Sequence, residues 1–373
     1  MENYHPKPMP MLEWQLNETF GLIISKEEAE RALRTLRSMK LTSGMCKLAR
    51  TSRTVVVPLD HEPSPEEFRK IKEQCTNARV TKTSFEEMRK RPRNLVESLH
   101  GRIPGELLPG LPHSFDVIGE IATIDIPREL LQFSSIIGEG VMEMDPHLRL
   151  VLRKSGKVAG TFRTRRLEVI AGTGSTETIH REFSCLFQLD VARAYFNPRL
   201  SHERLRVARQ VQENECVLDM FAGIGPYSIL IAKTREDCKL CSIDINPDAF
   251  RYLKQNIMLN QVADRVIPLF GDARQLVEKG LRGTANRVIM NLPSDSSHFL
   301  EVALQALKEQ GGVIHYYAFA SRKDGVPEIA KQVRSIIERH GKVVSSFSFS
   351  DVIKEVAPNR VQVAMDILVG GFS

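Results

Sequence analysis

The C-terminal half of the chain alternates short apolar runs with amphipathic segments of helical spacing. Five apolar runs predict strands, at residues 217–221, 240–245, 266–270, 288–292 and 313–319. The alternation predicts a parallel sheet with helices on both faces, which is an α/β architecture. Residues 342–350 and 360–369 are strand-like with no helix between them. They therefore predict an antiparallel hairpin at the edge of the sheet.

The N-terminal half is less regular and predicts two smaller α+β modules. Residues 18–59 have the pattern of a strand, a helix and a second strand. Residues 101–112 contain three prolines and three glycines, which is typical of a linker. Residues 114–190 carry strand candidates at 117–126, 158–163 and 167–171. We therefore expect three domains, with limits at residues 1–110, 111–190 and 191–373.

Composition narrows the class of protein. Hydrophobic residues make up 42% and charged residues 26% of the 373 residues, which is typical of a soluble globular chain and excludes disorder. No apolar stretch reaches the roughly 18 residues of a membrane helix, and the N-terminus lacks the apolar run of a signal peptide. We therefore expect no membrane association and a cytoplasmic location. The net charge of +6 permits nucleic-acid binding without proving it.

The cysteines give no metal signal. Six are scattered along the chain, and the C-x-x-C pair of Cys238 and Cys241 has no second pair at zinc-binding spacing. We therefore predict reduced thiols and no metal site.

A glycine loop follows the first C-terminal strand and opens a helix. Gly223 and Gly225 let the backbone approach a ligand, and the helix N-terminus offers unpaired N–H groups. The third glycine of a dinucleotide fingerprint is replaced by Ser228, and Asp219 precedes the loop. A carboxylate there repels a pyrophosphate and attracts an ammonium group. A nicotinamide-dependent dehydrogenase is therefore the weaker interpretation.

Two more carboxylates follow the next two strands. Asp244 ends the second strand, where an acid binds both hydroxyls of a ribose. Asp272 follows the third strand, where it could accept from an adenine amino group. Together with Asp219 and the glycines, they predict S-adenosylmethionine as cofactor. The alternative is that all of them are turn residues of a domain without a ligand.

The fourth strand ends in Asn291-Leu292-Pro293. Class I methyltransferases acting on planar nitrogens often carry Asn/Asp-Pro-Pro-aromatic here, and this chain lacks the aromatic residue. No cysteine lies beside this loop, which argues against 5-methylcytosine chemistry. The alternative is a turn that only ends the strand.

From about residue 20 onward, the chain resembles the archaeal and eukaryotic class of tRNA (guanine-N1-)-methyltransferases that act on the guanine 3′ of the anticodon. The matching motifs are the glycine loop at 217–226, Asn291-Leu-Pro with Phe299, residues 314–317, and residues 190–203. Asn197 departs from the pattern, because many members have serine there. Ala318-Phe319 also departs, since a charged residue often follows the tyrosine pair.

The resemblance implies a class I (Rossmann-like) methyltransferase domain at the C-terminus, preceded by two modules that contact tRNA. It implies methylation of guanine 37 at N1 by a monomer. Glu203 is implied as the general base, Arg163 as the cation facing O6, and Asn291 as the residue that positions the guanine edge. The implied substrate-binding residues are Tyr195, Arg199 and Arg165. The implied and predicted cofactor-binding residues are Arg204, Asp219, Phe221, Ala222, Gly223, Gly225, Asp244, Ile245, Asp272, Ala273, Asn291 and Pro293.

Other interpretations stay open. Glu203 could be a solvated residue of a helix. Arg163 and Arg165 lie in a stretch, residues 149–166, with seven basic and no acidic residues, and either could simply bind phosphate. A related wyosine-pathway enzyme transfers the aminocarboxypropyl group of the same cofactor, and some archaeal members methylate a tricyclic guanine derivative. A catalytically silent RNA-binding protein is the rival from another class.

Overall fold

The computed structural model describes residues 16–86, 91–156, 160, 165–323 and 325–372. The chain divides into two compact units, residues 1–91 and 92–373. Among the helices of the described residues, none is long and apolar enough to cross a membrane. The domain limits at residues 110 and 190 stay predictions.

The first unit is a four-stranded antiparallel sheet with two helices. Its elements are β1 (Leu16–Ser25), α1 (Ala29–Ser38), β2 (Ala49–Arg50), β3 (Thr54–Pro58), α2 (Pro65–Gln74) and β4 (Arg79–Glu86). The strand order is β2-β3-β1-β4. Ser64 and Glu67 form a capping box that fixes the start of α2, with Pro65 in its first turn. Leu22, Leu36 and Ile71 are fully buried in the core of this small α/β module.

The second unit begins with a mixed four-stranded sheet and a separate hairpin. The elements are α3 (Leu95–Leu99), β5 (Asp116–Ile118), β6 (Ile121–Ile124), α4 (Ser134–Met144), β7 (Leu150–Lys154), β8 (Leu167–Gly172), β9 (Glu177–Glu182) and β10 (Cys185–Asp190). The sheet order is β5-β6-β7-β8, and β9 pairs with β10. Of the strand predicted at residues 158–163, all but Gly160 lies outside the described residues.

The C-terminal part of this unit is built on a seven-stranded sheet. Its elements are α5 (Ser201–Gln210), β11 (Cys216–Asp219), α6 (Pro226–Thr234), β12 (Lys239–Asp244), α7 (Pro247–Leu259), β13 (Val266–Phe270), α8 (Ala273–Leu276), β14 (Arg287–Met290), α9 (Ser296–Ala306), β15 (Gly311–Ser321), α10 (Gly325–Arg339), β16 (Lys342–Ala357) and β17 (Arg360–Phe372). The order is β13-β12-β11-β14-β15-β17-β16.

This sheet has the predicted parallel core and edge hairpin. β13, β12, β11, β14 and β15 pair in parallel, whereas β17 is antiparallel to both β15 and β16. Apolar side chains of the helices cover both faces in two large clusters. The strand order reverses between β11 and β14, and ligands of open α/β sheets bind beyond the carboxyl ends of strands at such a point.

Candidate active site

The glycine loop between β11 and α6 has the backbone geometry that only glycine adopts easily. Gly223 has φ +56° and Gly225 has φ +92°. A Cβ atom on Gly225 would lie 2.6 Å from Leu253 Cδ1, so a side chain there would also clash. The Gly223 N–H donates to Asp244 Oδ2 at 2.6 Å, which joins the loop to the end of β12.

A cavity of about 450 Å³ opens at this edge of the sheet. Phe221 and Phe299 form part of its wall, with ring centroids 4.9 Å apart and planes at 85°. The Arg274 guanidinium lies 3.7 Å from the centroid of the Phe299 ring. The cavity thus combines apolar walls with a few polar groups, as ligand sites do.

Asp244 lies in the cavity wall, and two backbone N–H groups hold its carboxylate. Its carboxylate accepts from the N–H groups of Gly223 and Asn246, the latter at 2.8 Å. Burial raises the pKa of Asp244 above its usual value, although these two N–H groups act in the opposite direction. A ligand hydroxyl donating to this carboxylate would offset part of the cost of burial.

Asp219 lies beneath the glycine loop and does not line the cavity. Its side chain is fully buried, Oδ2 accepts from Ser228 Oγ at 2.8 Å, and Oδ1 has no hydrogen-bond partner among the described residues. Full burial raises its pKa to about 7, despite the hydrogen bond from Ser228. A buried acceptor without a donor is costly, so this atom marks a position where a cationic or N–H donor would be stabilising.

The loop after β14 is fixed by one serine. Ser296 Oγ lies 2.6 Å from the Tyr317 carbonyl oxygen, 2.9 Å from that of Leu292 and 3.3 Å from that of Met290. The Pro293 carbonyl accepts from the Phe319 N–H at 3.0 Å. These contacts hold Asn291 in the cavity wall on a rigid support.

A second cleft, of about 630 Å³, shares Tyr195 with the first cavity. Arg165 and Arg199, both predicted to bind substrate, lie in it with Tyr195, which is 50% exposed. Arg199 pairs with Asp116, and Arg165 donates to Asp125 at 2.9 Å. The structure therefore brings the three predicted substrate-binding residues together beside the first cavity.

Two further cations line this second cleft. Lys154 donates to Asp116 at 2.8 Å. Burial lowers the pKa of Lys354, on β16. Four cationic side chains thus line the cleft together with three carboxylates, those of Asp116, Asp125 and Glu355, and ion pairs between them occupy part of its wall.

Glu203 is not a solvated helix residue. It is 7% exposed and accepts from the Tyr317 hydroxyl at 2.7 Å. Both of its carboxylate oxygens also accept from Arg206 at 2.8 Å. Its carboxylate is therefore held in one orientation by two different elements.

Arg204 lies behind the loop that carries Tyr195 and away from the first cavity. It is 2% exposed and forms a bidentate ion pair with Glu182 on β9. Its Nη1 also donates to the Asn197 carbonyl at 3.1 Å. Arg204 thus anchors the 195–200 segment to the β9–β10 hairpin.

The predicted residues divide into three groups. Those that line the first cavity are Tyr195, Phe221, Gly223, Asp244, Ile245, Asp272, Ala273 and Asn291. Those outside its wall are Arg165, Arg199, Glu203, Arg204, Asp219, Ala222, Gly225 and Pro293. Arg163 lies outside the described residues.

Sequence reasoning missed the residues that surround Glu203. Arg206 pairs with Glu203 and Asp366, and Asp366 lies opposite His315 in the β15–β17 register. A signal existed, because His315 and Asp366 are ionisable residues inside apolar strand runs. Such residues are buried only with partners.

Comparison with known proteins gives two family matches and several close relatives. Residues 178–344 match the TRM5/TYW2 methyltransferase domain, and residues 95–176 match the TYW2 N-terminal domain. The tRNA (guanine(37)-N(1))-methyltransferase Trm5b of Pyrococcus abyssi is 37% identical over 351 residues, which are 94% of this chain and 99% of that protein.

Solved structures of members of this family resemble this chain over most of its length. The complex of aTrm5 and tRNALeu has a TM-score of 0.70 at 31% identity and covers 94% of this chain and 99% of that one. M. jannaschii TYW2 in complex with AdoMet has a TM-score of 0.54 at 29% identity, covering 69% of this chain and all of that one.

The sheet order, the glycine loop and the cavity at the strand ends define a class I methyltransferase. The identity to Trm5b over nearly the whole length narrows the assignment further. The chain belongs to the TRM5/TYW2 family, in the branch of the tRNA (guanine(37)-N(1))-methyltransferases.

Proposed function

We propose that this protein methylates N1 of guanine 37 in tRNA with S-adenosylmethionine. The observation that carries the proposal is the convergence of Asp244, Asp272 and Asn291 around one cavity that adjoins a cleft containing Arg165, Arg199 and Tyr195. The cavity suits a nucleoside cofactor, and the two arginines of the cleft could contact RNA phosphates in exchange for their present carboxylate partners. The expectations of a monomer and of a cytoplasmic location stay predictions.

The residues present fit S-adenosylmethionine. Asp244 would accept from the ribose hydroxyls and Asp272 from the adenine amino group, with Phe221 and Ile245 against the adenine ring. Asp219 lies beneath the glycine loop and outside the cavity wall, so its expected contact with the ammonium group stays a prediction. When bound, the cofactor supplies an electrophilic methyl group on a positively charged sulfonium, and the part of the cofactor that remains is a neutral thioether.

The chain's own residues would prepare guanine N1 for that methyl group. N1 carries a proton, so a base must accept it as the N1 electron pair forms the new bond to carbon. Glu203 is our candidate, because it matches the base implied by the family resemblance and its carboxylate has a fixed orientation, although it lines neither the cavity nor the cleft. Asn291 would hold the guanine edge from the cavity wall, and Tyr195 borders both the cofactor cavity and the substrate cleft.

We expect Arg163 and Arg165 to have different functions. We expect Arg163→Ala to lower the single-turnover rate, because a guanidinium facing O6 stabilises the negative charge that develops there. Arg165→Ala should mainly weaken tRNA binding and reduce its salt dependence, by a slope of about one. Rapid-quench methyl transfer and tRNA titration at several salt concentrations measure the two effects. If Arg165→Ala slows methyl transfer and Arg163→Ala mainly weakens tRNA binding, the roles of the two arginines must be exchanged.

One observation favours a second candidate, the aminocarboxypropyl transfer of the wyosine pathway. Residues 95–176 match the TYW2 N-terminal domain. Methyl-labelled and carboxyl-labelled S-adenosylmethionine distinguish the two reactions, since each label reaches tRNA in only one of them. We expect methyl label alone; carboxyl label in the tRNA would overturn the methyltransferase proposal.

A further inference from the structure

A chain of buried ion pairs and hydrogen bonds extends from Glu203 across the sheet. Arg206 contacts both oxygens of Glu203 and both oxygens of Asp366. Asp366, which is 1% exposed, also accepts from Gln210 Nε2 at 2.8 Å and lies 2.6 Å from His315 Nδ1. These five residues lie on α5, β15 and β17, and none of them lines the first cavity.

Arg287, at the end of the network opposite Glu203, fixes the protonation state of His315. Arg287 Nη1 lies 2.8 Å from His315 Nε2, and a guanidinium can only donate. Nε2 must therefore accept, which leaves the imidazole neutral with its proton on Nδ1, donated to Asp366. Burial lowers the pKa of His315, in agreement with a neutral ring. The Glu215 carboxylate in turn accepts from Arg287 Nε at 2.7 Å and from Arg287 Nη2 at 3.0 Å.

This arrangement keeps Asp366 ionised. Burial alone would raise the pKa of Asp366, but hydrogen bonds from His315 and Arg206 hold it well below its usual value. Arg206 remains charged: burial opposes its charge, but the hydrogen bonds that it donates to Glu203 and Asp366 raise its pKa. One guanidinium is therefore shared by two carboxylates.

Because Arg206 is shared between two carboxylates, it keeps one of them as a partner when Glu203 takes a proton. Neutral Glu203 no longer balances Arg206, whose side chain is only 23% exposed. If Asp366 were absent, protonating Glu203 would leave a largely buried guanidinium without a carboxylate, which is costly. With Asp366 present, Arg206 stays paired throughout, and Glu203 can accept and release the proton at smaller cost.

We propose that Asp366, acting through Arg206, is a positioning residue that sets the proton affinity of the base Glu203. The inference rests on the proposed function, in which Glu203 accepts the guanine N1 proton. The charged and titratable groups that face Glu203 or its partner Arg206 are Tyr227, Tyr317, His315 and Asp366. Tyr317 remains a hydroxyl donor, since burial raises its pKa well above the ordinary value.

The test uses two substitutions with opposite expected effects on the pH dependence of single-turnover methyl transfer. Asp366→Asn leaves Arg206 to Glu203 alone, so the acidic limb of the profile should move to lower pH by about one unit or more. The rate at neutral pH should fall about tenfold, because a weaker base abstracts the proton less well. Arg206→Gln removes the positive charge, so the acidic limb should move to higher pH.

Asp351→Asn, at an exposed position of the same hairpin, serves as the matched control and should leave the profile unchanged. Melting temperature and cofactor affinity are measured for each variant, and if Asp366→Asn does not fold, Asp366→Ser, which also removes the carboxylate, takes its place with the same expected shift. Lower stability with an unshifted profile would overturn the inference and leave the network a purely structural role. A wild-type protein that makes no N1-methylguanosine would instead overturn the proposed function, so the two failures are distinguishable.

Discussion

Glu203→Gln should slow single-turnover methyl transfer to guanine 37 by about two to four decades, the span that a general base contributes. Glutamine has nearly the same shape and can still accept from Tyr317 and Arg206, but it cannot take the N1 proton. We therefore expect the affinities for tRNA and for S-adenosylmethionine to stay within a factor of about two, well under 1.4 kcal/mol. Rapid-quench kinetics with saturating enzyme measures the chemical step directly.

Glu213→Gln is the matched control, since Glu213 is exposed just beyond the same helix. It should retain the wild-type rate. If Glu203→Gln also retains it while the protein stays folded, Glu203 is not the base, and the proton must leave by another route.

Asp244→Ala should raise the Kd for S-adenosylmethionine by about 100-fold. The substitution removes the carboxylate proposed to bind the ribose hydroxyls, and hydrogen bonds to a charged group contribute about 1.5–3 kcal/mol each. It also removes the acceptor that holds the Gly223 N–H, so the glycine loop loses its link to β12. Isothermal titration calorimetry with the cofactor measures the change.

Asp264→Ala controls for the loss of a carboxylate, because the Asp264 side chain is 71% exposed. Its cofactor Kd should match that of the wild type. An unchanged Kd for Asp244→Ala would mean that the cofactor does not use this cavity.

Much of the C-terminal fold could be predicted because its signals are local. The apolar runs of a parallel sheet and the glycine loop are each readable within about ten residues, and the edge hairpin followed from two strand patterns without a helix between them. The observed strands run longer than predicted, to Ala357 and Phe372, because backbone pairing between β16 and β17 continues past the predicted ends.

The surroundings of Glu203 could not be predicted in the same way. Arg206 and Asp366 are 160 positions apart, and only the three-dimensional path of β17 beside β15 brings them together. The position of Arg204 shows the same limit, since its partner Glu182 lies on a hairpin whose packing no local pattern specifies. Residue type indicated that these charges need partners, but not which ones.

The measurement that tests the central claim most directly is methyl transfer from labelled S-adenosylmethionine to an unmodified tRNA with guanine at position 37, followed by nucleoside analysis. We predict N1-methylguanosine as the labelled product, and its loss when guanine 37 is replaced by adenine. Cofactor binding without any labelled nucleoside, or label that persists after the replacement, would contradict the account.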